Sequence, residues 1–144
     1  RTHMWLHEIE AVGGVGSEGF CWQGVRVKSK ACGDAGTLRG AGVVALGNTA
    51  TGVLGKDKSS SDEVRAAGKR GGEPGWQLPM WNEYKEQIKS DVADIKNIGG
   101  RGAGTTTAAL FLDELAEGYS GLHQDIAGPA DTESDLVVIP RGPR

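Results

Sequence analysis

The apolar and polar positions of the chain become regular from Ala41 onward, where they predict short strands that alternate with helices. The run GVVAL (Gly42–Leu46), closed by Gly47 and Asn48, is short, apolar and partly β-branched, as in a buried strand. The segments LHQDIAG and LVVIP nearer the C-terminus predict two more short strands. Strands that alternate with helices favour an α/β fold, in which helices cover the faces of a sheet.

Three segments between these strands carry helix signals. Ser60 and Glu63 fit a capping box and Gly71-Gly72 fit a helix stop, so a helix is expected between them. In WNEYKEQIKS, the spacing of Trp81, Tyr84 and Ile88 predicts the apolar stripe of an amphipathic helix. TTTAALFLDELAEG predicts a third helix, capped by its threonines and packed on several sides along its apolar first half.

Residues 1–35 show neither the two-residue apolar period of a strand nor the 3.6-residue period of a helix. VRVK is their only strand-like run. Glycine supplies 24 of the 144 residues, well above the average of about 7%. Because glycine costs backbone entropy on folding, this excess indicates many tight turns or an incompletely folded segment. We therefore expect aggregation or partial disorder, worst in residues 1–35.

Charge and cysteine content narrow the range of partners. The 16 basic and 19 acidic residues give a net charge of −3, so nothing favours nucleic acid or an anionic membrane as a partner. The N-terminus lacks the apolar centre of a signal peptide, and no run approaches the roughly 20 apolar residues of a membrane span. A cytoplasmic location is predicted. Cys21 and Cys32 alone make no disulfide framework.

The loop GGRGAGTTT, which opens the third helix, has the glycines of a phosphate cradle. It lacks the lysine of a Walker loop and the Gly-x-Gly-x-x-Gly pattern, so only Arg101 offers charge. A structural turn is the favoured interpretation, and anion binding is the alternative.

Other candidate groups are equally incomplete. His3 and His7 have metal-ligand spacing without a clear third ligand. Asp131 and Glu133 lie in a polar loop that favours a solvated turn. His123 and Asp125 are predicted on one face of a strand, where a structural hydrogen bond is favoured over catalysis because no nucleophile is evident.

A longer pattern carries more information than these local motifs. The stretch from GWQLPMWNEY through SDVADIKNIGGRGAGTTTAALFLDEL, followed by HQDIAGPA and IPRG, closely resembles the C-terminal part of the leucyl aminopeptidase (cytosol aminopeptidase) family. The segment GVVALGNTATGVLGKD fits the family sequence just upstream, so the resemblance runs from about Thr37 onward.

The resemblance implies a two-metal exopeptidase, using manganese or zinc, that removes N-terminal residues from peptides and assembles as a hexamer. It implies a partial mixed sheet with flanking helices, a fragment of a zinc-peptidase-like catalytic domain. Residues 36–144 then form the C-terminal part of that domain, and residues 1–35 are unmatched. By position, the pocket for the first substrate side chain contains Thr37, Leu38, Gly40 and Ala127.

The chain also departs from the family pattern. The metal-binding motif Asn-Thr-Asp-Ala-Glu-Gly-Arg is absent, and Arg39 replaces a threonine of the pocket turn. We therefore expect that this chain binds neither metal and is inactive alone, as a truncated or frame-shifted reading of a longer enzyme would be. The alternatives are a noncatalytic scaffold or assembly subunit, which joins full-length partners, and a small anion-binding module that uses Gly99–Thr107.

Overall fold

The computed structural model of the chain describes residues 32–37, 40–115, 121–132 and 142–143. The strands are β1 (Cys32–Gly36), β2 (Thr51–Gly55), β3 (Gly75–Gln77), β4 (Gly121–Asp125), β5 (Asp131–Thr132) and β6 (Gly142–Pro143). The helices are α1 (Ala41–Leu46), α2 (Lys58–Gly71), a 3-10 helix (Asn82–Ile88) and α3 (Gly104–Leu115). None of these helices has the length and apolar character that crossing a bilayer requires.

Four strands form one mixed sheet in the order β1-β4-β2-β3. Strand β1 runs parallel to β4, with Cys32 opposite Gly121 and Gly36 opposite Asp125. Strand β2 is antiparallel to β4 and parallel to β3. The predicted α/β class, with a partial mixed sheet and flanking helices, is confirmed. Strands β5 and β6 form a separate antiparallel pair.

Both faces of the sheet are covered at β2, whose five residues are all buried. On one face, a Cβ atom built on Gly55 would lie 3.1 Å from the Ser61 hydroxyl, so α2 packs there. On the other face, a Cβ on Gly52 would lie 3.7 Å from the Leu46 side chain, so α1 packs there. This double coverage explains why β2 is an apolar, glycine-containing run without polar alternation.

The segment Gly42–Leu46 is not the predicted strand, because it lies within the helix α1. The buried strand comes later, at Thr51–Gly55. A short apolar run fits a buried strand and a packed helical turn equally well, so periodicity alone does not separate them. The deciding contact is tertiary, since Gly42 packs directly against Asp125 of β4.

The helix expected between Ser60 and Gly71-Gly72 is present as α2, but its N-cap is Asp57. The Asp57 carboxylate accepts hydrogen bonds from the Ser60 amide at 2.8 Å and from the Ser60 hydroxyl at 2.5 Å. Ser60 therefore lies inside the first turn. At the other end, Gly72 adopts the left-handed conformation at φ 81°, which is the predicted glycine stop.

The two later helices also differ in detail from expectation. The segment with the apolar stripe is a 3-10 helix, in which Ile88 is buried while Trp81 is largely exposed. Helix α3 is confirmed and well packed, with Leu110 fully buried. The threonines do not cap it: Thr105–Thr107 lie inside the first turn and are buried.

Candidate functional site

The carboxyl ends of the parallel strands β1 and β4 lie side by side and form the candidate site. The Ile126 amide, directly after β4, donates a hydrogen bond to the Gly36 carbonyl at the end of β1, at 3.2 Å. The segment that follows β1 and starts at Thr37 therefore leaves the sheet beside the turn that contains Ala127. Ligand sites of α/β sheets form preferentially outside the carboxyl ends of strands.

Asp125 determines the shape of the turn that follows β4. Its side chain is buried, and its Oδ1 atom accepts a hydrogen bond from the Ala127 amide at 3.1 Å. The Ala130 amide then donates to the Ile126 carbonyl at 2.9 Å and closes the turn. A side-chain acceptor two residues before its donor is the usual device for fixing such a turn, and here it fixes the position of Ala127.

Helix α1 packs against the same carboxylate. A Cβ atom on Gly42 would lie 2.5 Å from the Asp125 Oδ2 atom, so this approach requires glycine. At the far end of α1, Gly128 packs closely against the Gly47 carbonyl. The turn after β4 and the helix α1 are therefore held together at two points.

Three of the four predicted pocket residues fall within this arrangement. Thr37 and Gly40 are exposed, and Ala127 is half-buried in the turn after β4. Leu38 lies outside the described residues, as does Arg39. The structure brings strand ends and turn together, whereas contact of these residues with a substrate side chain stays a prediction.

A cleft of about 680 Å³ opens next to Gly40. Ala41, Val44 and Ala45 of α1 line this cleft, together with Leu78, Pro79 and Tyr84. Arg101 and the N-terminus of α3 also line it. Sequence reasoning did not predict this cleft, although Tyr84 and Arg101 both lie in the segments that carry the family resemblance.

His123 is paired with a carboxylate of the neighbouring strand. Its Nδ1 atom lies 2.8 Å from Asp34 Oδ2, across the parallel pair in which the two residues are direct neighbours. His123 is buried, and its Nε2 atom has no hydrogen-bond partner in the part of the chain that the structure describes. His123 thus makes a hydrogen bond to Asp34, whereas Asp125, its neighbour on the predicted strand face, bonds to the Ala127 amide. Asp34 was missed, and its only sequence signal is a lone charge in a strand of small residues.

The described residues do not fit a pair of catalytic metal ions. Among them, no three His, Cys, Asp or Glu side chains come together in a way that could hold a cation. Asp125 Oδ2 is buried and has no hydrogen-bond partner among the described residues, and Oδ1 of the same carboxylate accepts a hydrogen bond from the Ala127 amide. The side chains of His3, His7, Asp131 and Glu133 lie outside the described part of the structure.

The glycine-rich loop before α3 makes several internal contacts. The Gly100 amide donates to the Gln87 side chain at 3.0 Å, and a Cβ on Gly99 would lie 2.7 Å from the Thr107 hydroxyl. Ala103 takes a positive φ of 58° immediately before α3 begins. Lys85 and Glu114 form an ion pair between the two helices that the loop connects. These contacts favour the structural interpretation of the loop, and the anion-binding alternative stays a prediction.

The chain is similar to known proteins over most of its length. The model of the cytosol aminopeptidase family catalytic domain matches residues 18–141. A probable cytosol aminopeptidase of Chlorobaculum tepidum is 52% identical over 98 residues, which are 67% of this chain and 19% of that protein. One of Alkaliphilus metalliredigens is 46% identical over 109 residues, which are 76% of this chain and 22% of that protein.

A solved structure gives the same result for the fold. The structure of a Lys-to-Glu mutant of tomato leucine aminopeptidase matches with a TM-score of 0.78 at 34% identity. That match covers 86% of this chain and 24% of the tomato chain. The chain thus spans 19% to 22% of the length of these curated relatives.

Proposed function

This chain belongs to the cytosol aminopeptidase family, and from that premise we propose that it supplies one side of an aminopeptidase substrate pocket. The pocket would receive the first side chain of a peptide through Thr37, Leu38, Gly40 and Ala127. The observation that carries the proposal is the hydrogen bond from the Ile126 amide to the Gly36 carbonyl. It holds the segment after β1 beside the turn after β4, which supports a pocket there because α/β sheets bind ligands outside the carboxyl ends of their strands.

We also propose that this chain alone does not hydrolyse peptides. In the family, two divalent cations polarise the scissile carbonyl and generate a hydroxide near neutral pH. The family's ligand motif Asn-Thr-Asp-Ala-Glu-Gly-Arg is absent from the sequence. What the chain's own residues contribute is binding and orientation. A cytoplasmic location and assembly into a hexamer, as the resemblance implies, belong to the same proposal.

Turnover is tested with leucine p-nitroanilide, in the presence of added manganese or zinc. The expected result is no release of p-nitroaniline above the rate of a blank that contains metal alone. Metal-dependent turnover by the purified chain would refute the hypothesis that this chain alone is inactive. A mutant of the chain with Asp125 changed to Asn serves to identify contaminating activity, because a contaminant is unaffected by the change.

Pocket binding is tested separately by amide NMR. Leucinamide should shift the signals of Ala127 and Gly40 in the millimolar range, whereas glycinamide, which has no side chain to bury, should not. Ala127→Phe fills the proposed pocket and should abolish the shifts. Ala130→Phe, in the same turn but outside the proposed pocket, is the matched control and should preserve them. Equal shifts with both amides would contradict the pocket assignment.

The scaffold alternative is favoured by one observation. Helix α1 carries an apolar residue, Val44, that is 89% exposed. A single exposed apolar residue is ordinary at a protein surface, so Val44 supports this alternative only together with Ala45, Leu78 and Pro79, which line the same cleft.

A further inference from the structure

We propose that helix α1 sets the width of the proposed pocket, and that Gly42 and Gly128 thereby determine which first side chains of a substrate fit into it. This inference rests on the proposed function, because it takes the pocket residues Gly40 and Ala127 from there. Gly42 and Gly128 are positioning residues. They are not among the proposed pocket residues, and they act through the helix and the turn that they hold together.

Gly40 is attached to α1. It is the N-cap residue of the helix, and its carbonyl accepts a hydrogen bond from the Val44 amide at 3.2 Å. At the other end of the helix, the Gly47 amide donates to the Val43 carbonyl at 2.8 Å. A six-residue helix is too short to be stable by its own propensity, so its position depends on the surfaces against which it packs. The contacts that hold α1 therefore also hold Gly40.

Ala127 lies in the turn after β4 between two contacts with α1. Two residues before it, the Asp125 carboxylate packs against Gly42, where a Cβ atom would lie 2.5 Å from Oδ2. One residue after it, Gly128 packs against the Gly47 carbonyl at the C-terminal end of the helix, where a Cβ atom would also collide. Because the two contacts lie near opposite ends of α1, together they fix the helix relative to the turn.

Both contacts have little room for adjustment. Asp125 is 2% exposed, and the Oδ1 atom of its carboxylate accepts the hydrogen bond from the Ala127 amide at 3.1 Å. Relief of a steric conflict at Gly42 therefore either moves α1 or breaks the bond that holds Ala127. At Gly128, the nearest atoms belong to the backbone at the end of α1, so no side-chain rotation can move them away.

A separation of α1 from the turn changes the pocket in a definite direction. Gly40 belongs to the helix side and Ala127 to the turn side, so moving the two elements apart widens the space between them. A wider pocket buries less of a leucine side chain, and apolar binding falls with the area that is removed from water. It also gains room for a larger ring. Selectivity between side chains of different size is thus the property that the two glycines control.

The test compares the binding of leucinamide and phenylalaninamide to the full chain, followed by amide NMR at Gly40 and Ala127. Gly42→Ala should change the ratio of the two dissociation constants at least threefold in favour of phenylalaninamide. Gly68→Ala is the matched control, because its Cβ atom also collides, with the Glu73 carbonyl, but in α2, which carries no pocket residue. It should destabilise the chain without changing the ratio.

An unchanged ratio in Gly42→Ala, or an equal change in Gly68→Ala, would overturn the proposal. Circular dichroism establishes whether Gly42→Ala is folded. If it is not, Asp125→Ala replaces it, because this change removes the contact with α1 and the hydrogen bond to Ala127 without adding an atom. The ratio should then change in the same direction, and an unchanged ratio in Asp125→Ala would overturn the proposal as well.

The unmodified chain separates this inference from the pocket proposal. If neither amide shifts the signals of Gly40 and Ala127, the pocket is contradicted and the role of α1 in its selectivity falls with it. If leucinamide binds to the unmodified chain and the ratio is the same in the variants, the pocket stands and only the role of α1 is refuted.

Discussion

Strand β4 and helix α1 are neighbours, and each inverts the usual distribution of polar and apolar groups. In β4, His123 and Asp125 are buried, at 5% and 2% exposure. In α1, which touches β4 through Gly42, Val44 is 89% exposed. One atom of each buried polar side chain has a partner, since His123 Nδ1 meets Asp34 and Asp125 Oδ1 meets the Ala127 amide. Among the described residues, His123 Nε2 and Asp125 Oδ2 have none. The Val44 side chain makes no polar contact and is presented to water in the part of the chain that the structure describes.

The contrast teaches that residue type alone does not determine burial in this chain. A buried polar group is tolerated when its hydrogen bonds are made within the fold. An exposed apolar residue costs the fold little, but it leaves apolar area in water that another protein surface can remove. The predictions below probe that contrast, in order of decreasing effect.

The largest effect is expected from truncating apolar side chains on the two kinds of surface. Leu110 in α3 is fully buried, so Leu110→Ala should lower the free energy of unfolding by about 2–5 kcal/mol. Val44→Ala should change it by no more than about 0.5 kcal/mol, as is usual for surface positions. Urea unfolding followed by circular dichroism measures both. Similar losses for the two variants would mean that α1 is as buried as α3.

The next effect concerns the contact between helix α1 and strand β4. Gly42→Ala places a Cβ atom 2.5 Å from Asp125 Oδ2 and should lower the free energy of unfolding by about 1–3 kcal/mol. Gly40→Ala is the control, because its Cβ would meet nothing within 4 Å and its φ of −60° suits alanine. If the contact is responsible, combining Gly42→Ala with Asp125→Ala should cost less than the sum of the single changes. Strict additivity would contradict it.

The smallest effect is expected at Asp57, whose carboxylate accepts a backbone hydrogen bond as Asp125 does, but at the surface. The Ser60 hydroxyl and then the Ser60 amide donate to Asp57 and hold the pKa of Asp57 below its usual value of 3.8. Because the folded state binds this proton more weakly than the unfolded state, the cap stabilises the fold above the unfolded-state pKa. That stabilisation is lost as the pH falls through the lower, folded-state pKa.

Asp57→Ala should therefore lower Tm by a few degrees at pH 6, and the difference from the parent chain should shrink as the pH falls below 3.8. Asp57→Asn keeps a capping oxygen without the titrating charge. It should retain most of the stability at pH 6 and lack this pH dependence. Thermal unfolding across the pH range measures both variants, and a difference that grows toward acid would contradict the assigned sign.

Several elements followed from local sequence. Helix α2 was predicted from its stop signal, because Gly72 is needed for a left-handed residue at that point. Helix α3 was predicted from TTTAALFLDELAEG, with its threonine cap and apolar first half, and β4 from the short segment LHQDIAG. The capping residue of α2 was misplaced by three positions because both Asp57 and Ser60 are good N-caps. The choice between them is made by backbone geometry.

The candidate site followed from the sequence only in part. Thr37, Leu38, Gly40 and Ala127 were assigned to the pocket through the family resemblance. The hydrogen bond from Ile126 to Gly36 brings the segments after β1 and β4 together, and the pocket itself stays a prediction. Asp34 and the cleft beside α1 were not predicted, because each depends on residues far apart in the chain. No periodicity links Asp34 to His123, and the parallel pairing of β1 with β4 is what makes them neighbours.

By itself, the sequence determined the family, the α/β class, the helix α2 with its glycine stop and the apolar helix α3. These properties depend on residues that are close together in the chain. Only the tertiary structure decided that Gly42–Leu46 is helical, that Asp125 holds both a turn and a helix, and that Val44 is left in water. Those outcomes depend on contacts between segments that are distant along the chain, and an apolar run is compatible with more than one of them until its neighbours are in place.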